Sequence, residues 1–259
     1  YIKCLIKGKV MKYFIGNWKM FGIPTSIKII DKINNFVRND KKNSKKYKAI
    51  ISPPHTLLES FSKSFKNKKV SICAQNCFHK NNYGAHTGSI SPFMIKKLGV
   101  KHIIIGHSEN RESGEDDKII EEKVSSSIKN KLNIIFCIGE NKAQKRRKQT
   151  FKVLKNQIKK ALRKNYDFKK ILIAYEPIWS IGSGKLPSEN ELSKIVYALK
   201  KFLNSNFNKK HNFKILYGGS VDAKSARLFK QVNELDGFLI GGASKSSKKF
   251  IDIIKNFYK

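Results

Sequence analysis

Eight short runs of β-branched and other apolar residues recur along the chain, each followed by a polar, helix-compatible stretch, and no Pro/Gly/Ser linker long enough to mark a domain boundary interrupts the series. The runs are 13–15, 49–52, 70–74, 102–106, 134–138, 171–175, 213–217 and 238–241. Continuous apolar stretches such as Ile103-Ile104-Ile105 and Ile171-Leu172-Ile173-Ala174 suit strands buried on both faces, as in a parallel sheet covered by helices. Between the runs lie amphipathic segments. Over 27–37, Ile29, Ile30, Ile33 and Val37 recur at helical spacing while Lys28, Asp31 and Asn35 take the other face. Eight βα units in about 250 residues is the arithmetic of a closed, single-domain (β/α)8 barrel of the α/β class. A doubly wound open sheet is the alternative, but no GxGxxG follows the first run.

Charge is the second constraint. The 259 residues carry 54 Lys+Arg against 19 Asp+Glu, a formal net charge of +35, yet only six of the basic residues are arginine. Nucleic-acid readers favour arginine for its bidentate contacts, and they interleave aromatics with basic residues on one surface. Here the lysines are spread along the whole chain. The excess therefore reads as solvated lysine faces with no specific nucleic-acid partner, and its functional use as long-range attraction of an anionic substrate. With 40% hydrophobic and 11% aromatic residues, the chain has ample material for one large core.

The four cysteines, Cys4, Cys73, Cys77 and Cys137, form neither a disulfide framework nor a pair of CxxC zinc motifs, which fits a reducing cytoplasm. Cys73 and Cys137 sit in apolar runs and are expected to be buried thiols. No run reaches the eighteen or so apolar residues that span a bilayer, so no membrane association is expected. Residues 1–10 read as an extension upstream of the fold, which begins at Met11.

In a parallel barrel the functional site lies where the strands end, because the βα loops all open on that side. The first run ends in Gly16-Asn17-Trp18-Lys19, the fourth in Gly106-His107-Ser108-Glu109 and the sixth in Glu176-Pro177. The seventh ends in Gly218-Gly219-Ser220 and the eighth in Gly241-Gly242-Ala243-Ser244. Glycine turns that lead towards helix N-termini offer clustered backbone N–H donors, a recurrent way to hold phosphate. No metal-ligand cluster, nucleotide fingerprint or Ser-His-Asp spacing competes with this reading. A carboxylate base (Glu176), an imidazole donor (His107) and a cation (Lys19) together suit removal of a proton next to a carbonyl and stabilisation of the resulting enediolate. The stretch 177–185, with Pro177-Ile178-Trp179 at its entry and Gly182 and Gly184 within it, reads as a lid that keeps water from such an intermediate.

At these residues the chain resembles the triosephosphate isomerase family. The resemblance extends over essentially the whole of residues 11–259. The matching segments are Gly16-Asn-Trp-Lys-Met20, Gly84-Ala-His-Thr-Gly88, Gly106-His-Ser-Glu109, Ala174-Tyr-Glu-Pro-Ile-Trp179, Gly182-Ser-Gly-Lys185, Tyr217-Gly-Gly-Ser220 and the run from Asp236 to Ser244. The resemblance implies a TIM barrel that interconverts dihydroxyacetone phosphate and D-glyceraldehyde 3-phosphate with no cofactor and no metal. It makes Glu176 the base, His107 the electrophile and Lys19 a cation beside the substrate, with Asn17 hydrogen-bonding next to it. Gly182, Ser220, Gly241 and Gly242 would hold the phosphate, and Glu109 would support Lys19 and Asn17.

The resemblance further implies a homodimer in which the loop over 83–91 reaches the neighbouring site, Thr87 furthest. Here the chain departs from the family. Ser89 stands where that loop usually carries Glu, and Asn110 where His-Ser-Glu is usually followed by the first of two arginines. Losing both partners of a charge pair leaves no unpaired buried charge, so the dimer is expected to persist through apolar and neutral contacts. A second departure is the basic stretch Lys142, Lys145, Arg146, Arg147 and Lys148, read as a solvated face.

Overall fold

The structure is a computed structural model and describes residues 11–259. The expected extension over 1–10, Cys4 included, lies outside the described residues. Eight strands run in chain order: β1 (Lys12–Asn17), β2 (Tyr47–Ser52), β3 (Val70–Ala74), β4 (His102–Ile105), β5 (Asn133–Ile138), β6 (Ile171–Tyr175), β7 (Lys214–Tyr217) and β8 (Gly237–Ile240). Each pairs in parallel with the next, and β1 closes on β8. The expected barrel is therefore the observed one, and the doubly wound alternative falls. β8 begins one residue earlier than expected, at Gly237, for a steric reason. With φ of 144°, a side chain there would place its Cβ 1.9 Å from the Tyr13 carbonyl, so only glycine lets the last strand approach the first this closely.

The apolar runs sort by parity into two cores. Alternate strand residues (Ile15, Ile50, Cys73, Ile104, Ile135, Cys137, Leu172, Ala174, Leu216 and Leu239) fill the barrel interior. Their neighbours, such as Phe14, Ile103, Ile105, Ile134, Phe136 and Ile173, point outward into the layer under the helices. This double burial explains why the strands read as unbroken hydrophobic runs. Cys73, Cys77 and Cys137 are all buried and unpaired, as expected for the first and last of them.

The helix at Ile27–Asn39 buries Ile30, Ile33 and Val37, whereas Ile29 is only half-buried and Asn34 takes a buried place. The Asn34 carbonyl oxygen accepts the backbone N–H groups of Lys69 at 3.0 Å and Val70 at 3.3 Å, which sets where β3 begins. A buried polar residue whose partners are far away in sequence leaves no trace in helical periodicity. Among the described residues no helix is long and apolar enough to cross a membrane.

One ionic cluster fixes the start of β8. Asp236 is 1% exposed. Its carboxylate meets Lys214 at 3.0 Å and Lys200 at 3.1 Å and accepts the Ile215 N–H at 3.0 Å. Its carbonyl accepts the Tyr13 N–H at 2.9 Å, so a single residue joins β7, β8 and β1. Asp236→Asn leaves two partly buried ammonium groups without a counter-charge. The expected cost, read as a lowered urea midpoint, is about 3 kcal/mol.

Candidate active site

Strand parity also decides what lies above the barrel core. Continuing each inward series by two residues leads from Ile15 to Asn17, from Ala174 to Glu176, from Leu216 to Gly218 and from Leu239 to Gly241. The next inward step on every one of these strands is thus a polar or side-chain-free residue. They surround an open cavity of about 440 Å³, lined by Asn17, Lys19, His107, Glu176, Gly182, Ser220, Gly241 and Gly242 among others. Of the residues singled out at strand ends and in the stretch after β6, these eight converge here, whereas Glu109 does not line the cavity. Thr87 does not, since it lies on an exposed loop over residues 80–88 on the β3 side.

Glu176 is 2% exposed, and its Oε1 lies 3.3 Å from His107 Nε2. Burial pushes its pKa up; His107, the Cys137 thiol, the Lys19 charge and the Ser108 N–H pull the other way without cancelling that effect. The Cys137 thiol is in turn pushed well up, first by burial and then by the Glu176 charge. His107 Nδ1 accepts the Glu109 backbone N–H at 3.3 Å, so in the neutral ring the proton sits on Nε2, the nitrogen that faces Glu176 and the cavity. A buried carboxylate therefore faces a ring N–H donor across the cavity.

The cation is held on a strained backbone. Lys19 has φ of 57°, and its N–H donates to the Asn17 side-chain oxygen at 3.0 Å, which stabilises this left-handed turn. Gln75 donates to the Lys19 carbonyl, and the Lys19 ammonium meets Glu109 at 2.5 Å. Arg111 secures the turn before His107, with Nε donating to the Gly106 carbonyl at 2.9 Å and a terminal nitrogen to the Cys137 carbonyl at 3.3 Å.

The stretch after β6 forms one 3₁₀ turn, Ile178–Ser180, and then places Gly182 and Gly184 at φ of 67° and 70°. Neither glycine is crowded, so the requirement for them is conformational. The stretch is tied to the β7 turn. Gly184 N–H donates to Ser220 Oγ at 3.2 Å, Ser220 Oγ donates to the Ser180 carbonyl at 2.6 Å, and Ser180 Oγ lies 2.9 Å from Tyr217 OH. Ile181 then lines the cavity mouth. With its hydroxyl committed to this tether, Ser220 has only its N–H to offer a ligand, and that N–H rests 3.3 Å from Ser180 Oγ. The N–H groups of Gly182 and Gly242 bond no other group among the described residues and are available to an anion.

The family model for triosephosphate isomerase matches residues 12–257. A triosephosphate isomerase from Mycoplasma mobile is 41% identical over 249 residues, covering 94% of this chain and 99% of its own. One from Neurospora crassa is 37% identical over 248 residues, covering 94% and 97%. The crystal structure of triosephosphate isomerase from Bartonella henselae superposes with a TM-score of 0.86 at 30% identity, covering 96% of this chain and 99% of that one. The chain belongs to the triosephosphate isomerase family. It is an isomerase that interconverts triose phosphates.

Beside the cavity stand buried residues that the strand-end pattern did not single out. Glu140, just beyond β5, is 1% exposed and accepts from Trp179 Nε1 at 2.9 Å and Tyr175 OH at 3.1 Å, tying the start of the stretch after β6 to β5. Burial pushes its pKa up. The Lys145 ammonium stands 3.3 Å from the Trp179 ring centroid and 2.8 Å from Glu191, so this part of the basic stretch read as a solvated face is packed on Trp179. The signal for Glu140 was its place directly after an apolar run, the same signal that marked Glu176.

Two glycines leave room for Glu176, one for its backbone and one for its side chain. A Cβ at Gly139 would lie 1.8 Å from the Glu176 carbonyl oxygen, and one at Gly218 would lie 2.7 Å from Glu176 Cγ. Gly218→Ala therefore displaces the side chain while leaving the barrel core alone. Its kcat for triose phosphate should fall about 100-fold, with a cooperative thermal melt retained.

Proposed function

We propose that this isomerase works by a proton shuttle on Glu176. The carboxylate removes a proton from the hydroxyl-bearing carbon beside the carbonyl of dihydroxyacetone phosphate and returns it to the former carbonyl carbon, while the hydroxyl proton passes from the first oxygen to the second by way of His107, giving D-glyceraldehyde 3-phosphate. Between the two transfers the substrate is an enediolate, whose oxygens face the Nε2–H of His107 and the ammonium of Lys19. The observation that carries this reading is the pairing of a buried Glu176 with the donor nitrogen of His107 at 3.3 Å. The phosphate rests on the N–H groups of Gly182, Ser220, Gly241 and Gly242, with Asn17 beside Lys19. The stretch over 177–185 acts as the lid, closing over the intermediate to exclude water.

Glu176→Asp keeps the charge and withdraws the carboxylate by one methylene. The expected loss is about two orders of magnitude or more in kcat, in a coupled assay of glyceraldehyde 3-phosphate conversion. In deuterated water the parent should place solvent deuterium on carbon in the product; turnover without such incorporation would count against an enediolate open to exchange. The pH dependence follows from burial. The base must be ionised, and burial favours its neutral form, so kcat/KM should fall as pH drops through a value above the ordinary glutamate 4.5. The same shift sets a stability effect of opposite sense to activity. Ionisation of Glu176 costs the folded state free energy at every pH above its raised pKa, so Glu176→Gln should abolish turnover and raise Tm at pH 7.

We further propose that the enzyme works as a cytoplasmic homodimer. In the isolated chain Met20 is 98%, Ile23 63% and Tyr83 78% exposed, and the loop carrying Thr87 projects into solvent. A partner's loop covering Met20 and Ile23 would remove these apolar groups from water. Ser89 and Asn110 give that interface neutral hydrogen bonds in place of an ion pair. The three buried, unpaired thiols suit a reducing compartment. Sedimentation at micromolar concentration should give the dimer mass; a fully active monomer would sink the dimer reading.

A further inference from the structure

Two ammonium groups line the cavity, Lys19 and Lys245, and only the first has an evident role. Lys19 is engaged by Glu109 at 2.5 Å, and its stem crosses Gly241, where an added Cβ would meet Lys19 Cε at 3.7 Å. Lys245 makes no ion pair among the described residues. It ends the short 3₁₀ turn Gly242–Lys245 that opens with a proposed phosphate-binding glycine. Both ends of this side chain are held in place. The carbonyl before it, that of Ser244, accepts the N–H of the fully buried Trp18 indole at 2.9 Å. Its ammonium stands 5.4 Å from the centroid of the Phe21 ring, and Phe21 packs edge-on against that same Trp18, with centroids 5.6 Å apart at 77°. One aromatic pair thus fixes the backbone and the head of the lysine together. The acidic groups lining the cavity are Glu176, which faces His107, and Asp222, whose Oδ1 is occupied by the Ser225 N–H at 2.7 Å.

We propose that Lys245 is a second ammonium for the substrate phosphate, a binding residue that acts on the dianion held between the β7 and β8 turns and leaves the reacting carbons to Glu176 and His107. The inference rests on the phosphate cradle described above. A cation already parked on an aromatic face keeps its stem desolvated and its rotamer restricted, so less freedom is lost when the dianion arrives. A single unpaired charge at the mouth also gives the +35 surface a local focus for substrate capture, which backbone N–H groups alone do not supply.

The test compares the parent with Lys245→Met, which keeps an unbranched stem over Phe21 without the charge, and with Lys245→Arg, which restores it. Kinetics with glyceraldehyde 3-phosphate and inhibition by inorganic phosphate are measured across a series of ionic strengths. For Lys245→Met the KM and the phosphate inhibition constant should each rise about fivefold, with kcat changed by less than about twofold and a shallower salt dependence of kcat/KM. Lys245→Arg should return all three towards the parent. If phosphate inhibits the parent competitively and Lys245→Met leaves KM and inhibition unchanged, Lys245 has no such role while the cradle stands. Equal damage from Lys245→Met and Lys245→Arg would mean that packing on Phe21 matters, not charge, and would also overturn the proposal. Failure of phosphate to inhibit the parent would remove the cradle, and Lys245 with it.

Discussion

The closed parallel sheet imposes a two-residue period on every strand, and the placement of the groups that line the cavity depends on it. Inward positions must be apolar within the barrel, as Ile15, Leu172, Ala174, Leu216 and Leu239 are. One step further the same direction points into the cavity, where Asn17, Glu176, Gly218 and Gly241 stand. A shift of a single residue in any of these strands would exchange a core side chain for a site side chain. The site is therefore as well specified as the core, because the same hydrogen-bond ladder positions both. Register itself is guarded at the opposite end, by Gly237 pressed against Tyr13 and by Asp236 joining three strands.

Burial of Glu176 links stability to function. A carboxylate 2% exposed and flanked by two glycines sits where water would be displaced by substrate, and its raised pKa expresses the cost of keeping it ionised there. That cost is offset by the apolar double core around it, which is large enough to carry one strained polar centre. The strain continues into Lys19, whose left-handed backbone is supported from Asn17 and Gln75. Strained groups and their supports are drawn from β1, β3, β4 and β6, so the arrangement exists only in the closed barrel.

Scarcity of acid shapes the rest of the electrostatics. With 19 carboxylates for 54 basic residues, the chain places individual acids between two cations: Asp236 serves Lys200 and Lys214, and Asp117 serves Arg111 and Lys160. Glu109 is spent on Lys19 and Glu191 on Lys145. These pairings fall beside strand ends and the stretch after β6, while many exposed lysines go without a partner. The positive field that remains suits a phosphorylated substrate.

Much of this was legible in the chain itself, since alternating apolar runs and amphipathic segments report local burial, and local burial repeats with the period of the element. The eight strands, the helix over 27–37 and the residues at the strand ends followed from that periodicity, and the two glycines after β6 from the unusual dihedrals that glycine allows. Contacts between residues distant in the chain left no such mark. Asn34 reaching Lys69, Glu140 meeting Trp179, the serine tether from Ser180 to Ser220 and Lys245 over Phe21 each join groups whose separation in sequence carries no period. The sequence by itself determined the barrel, its parity and the chemical groups at its mouth, because hydrophobic period and turn residues act locally. Only the tertiary structure decided which nitrogen of His107 bears the proton, how deeply Glu176 is buried and which lysine remains free to meet an anion, because those depend on what closure of the sheet brings together.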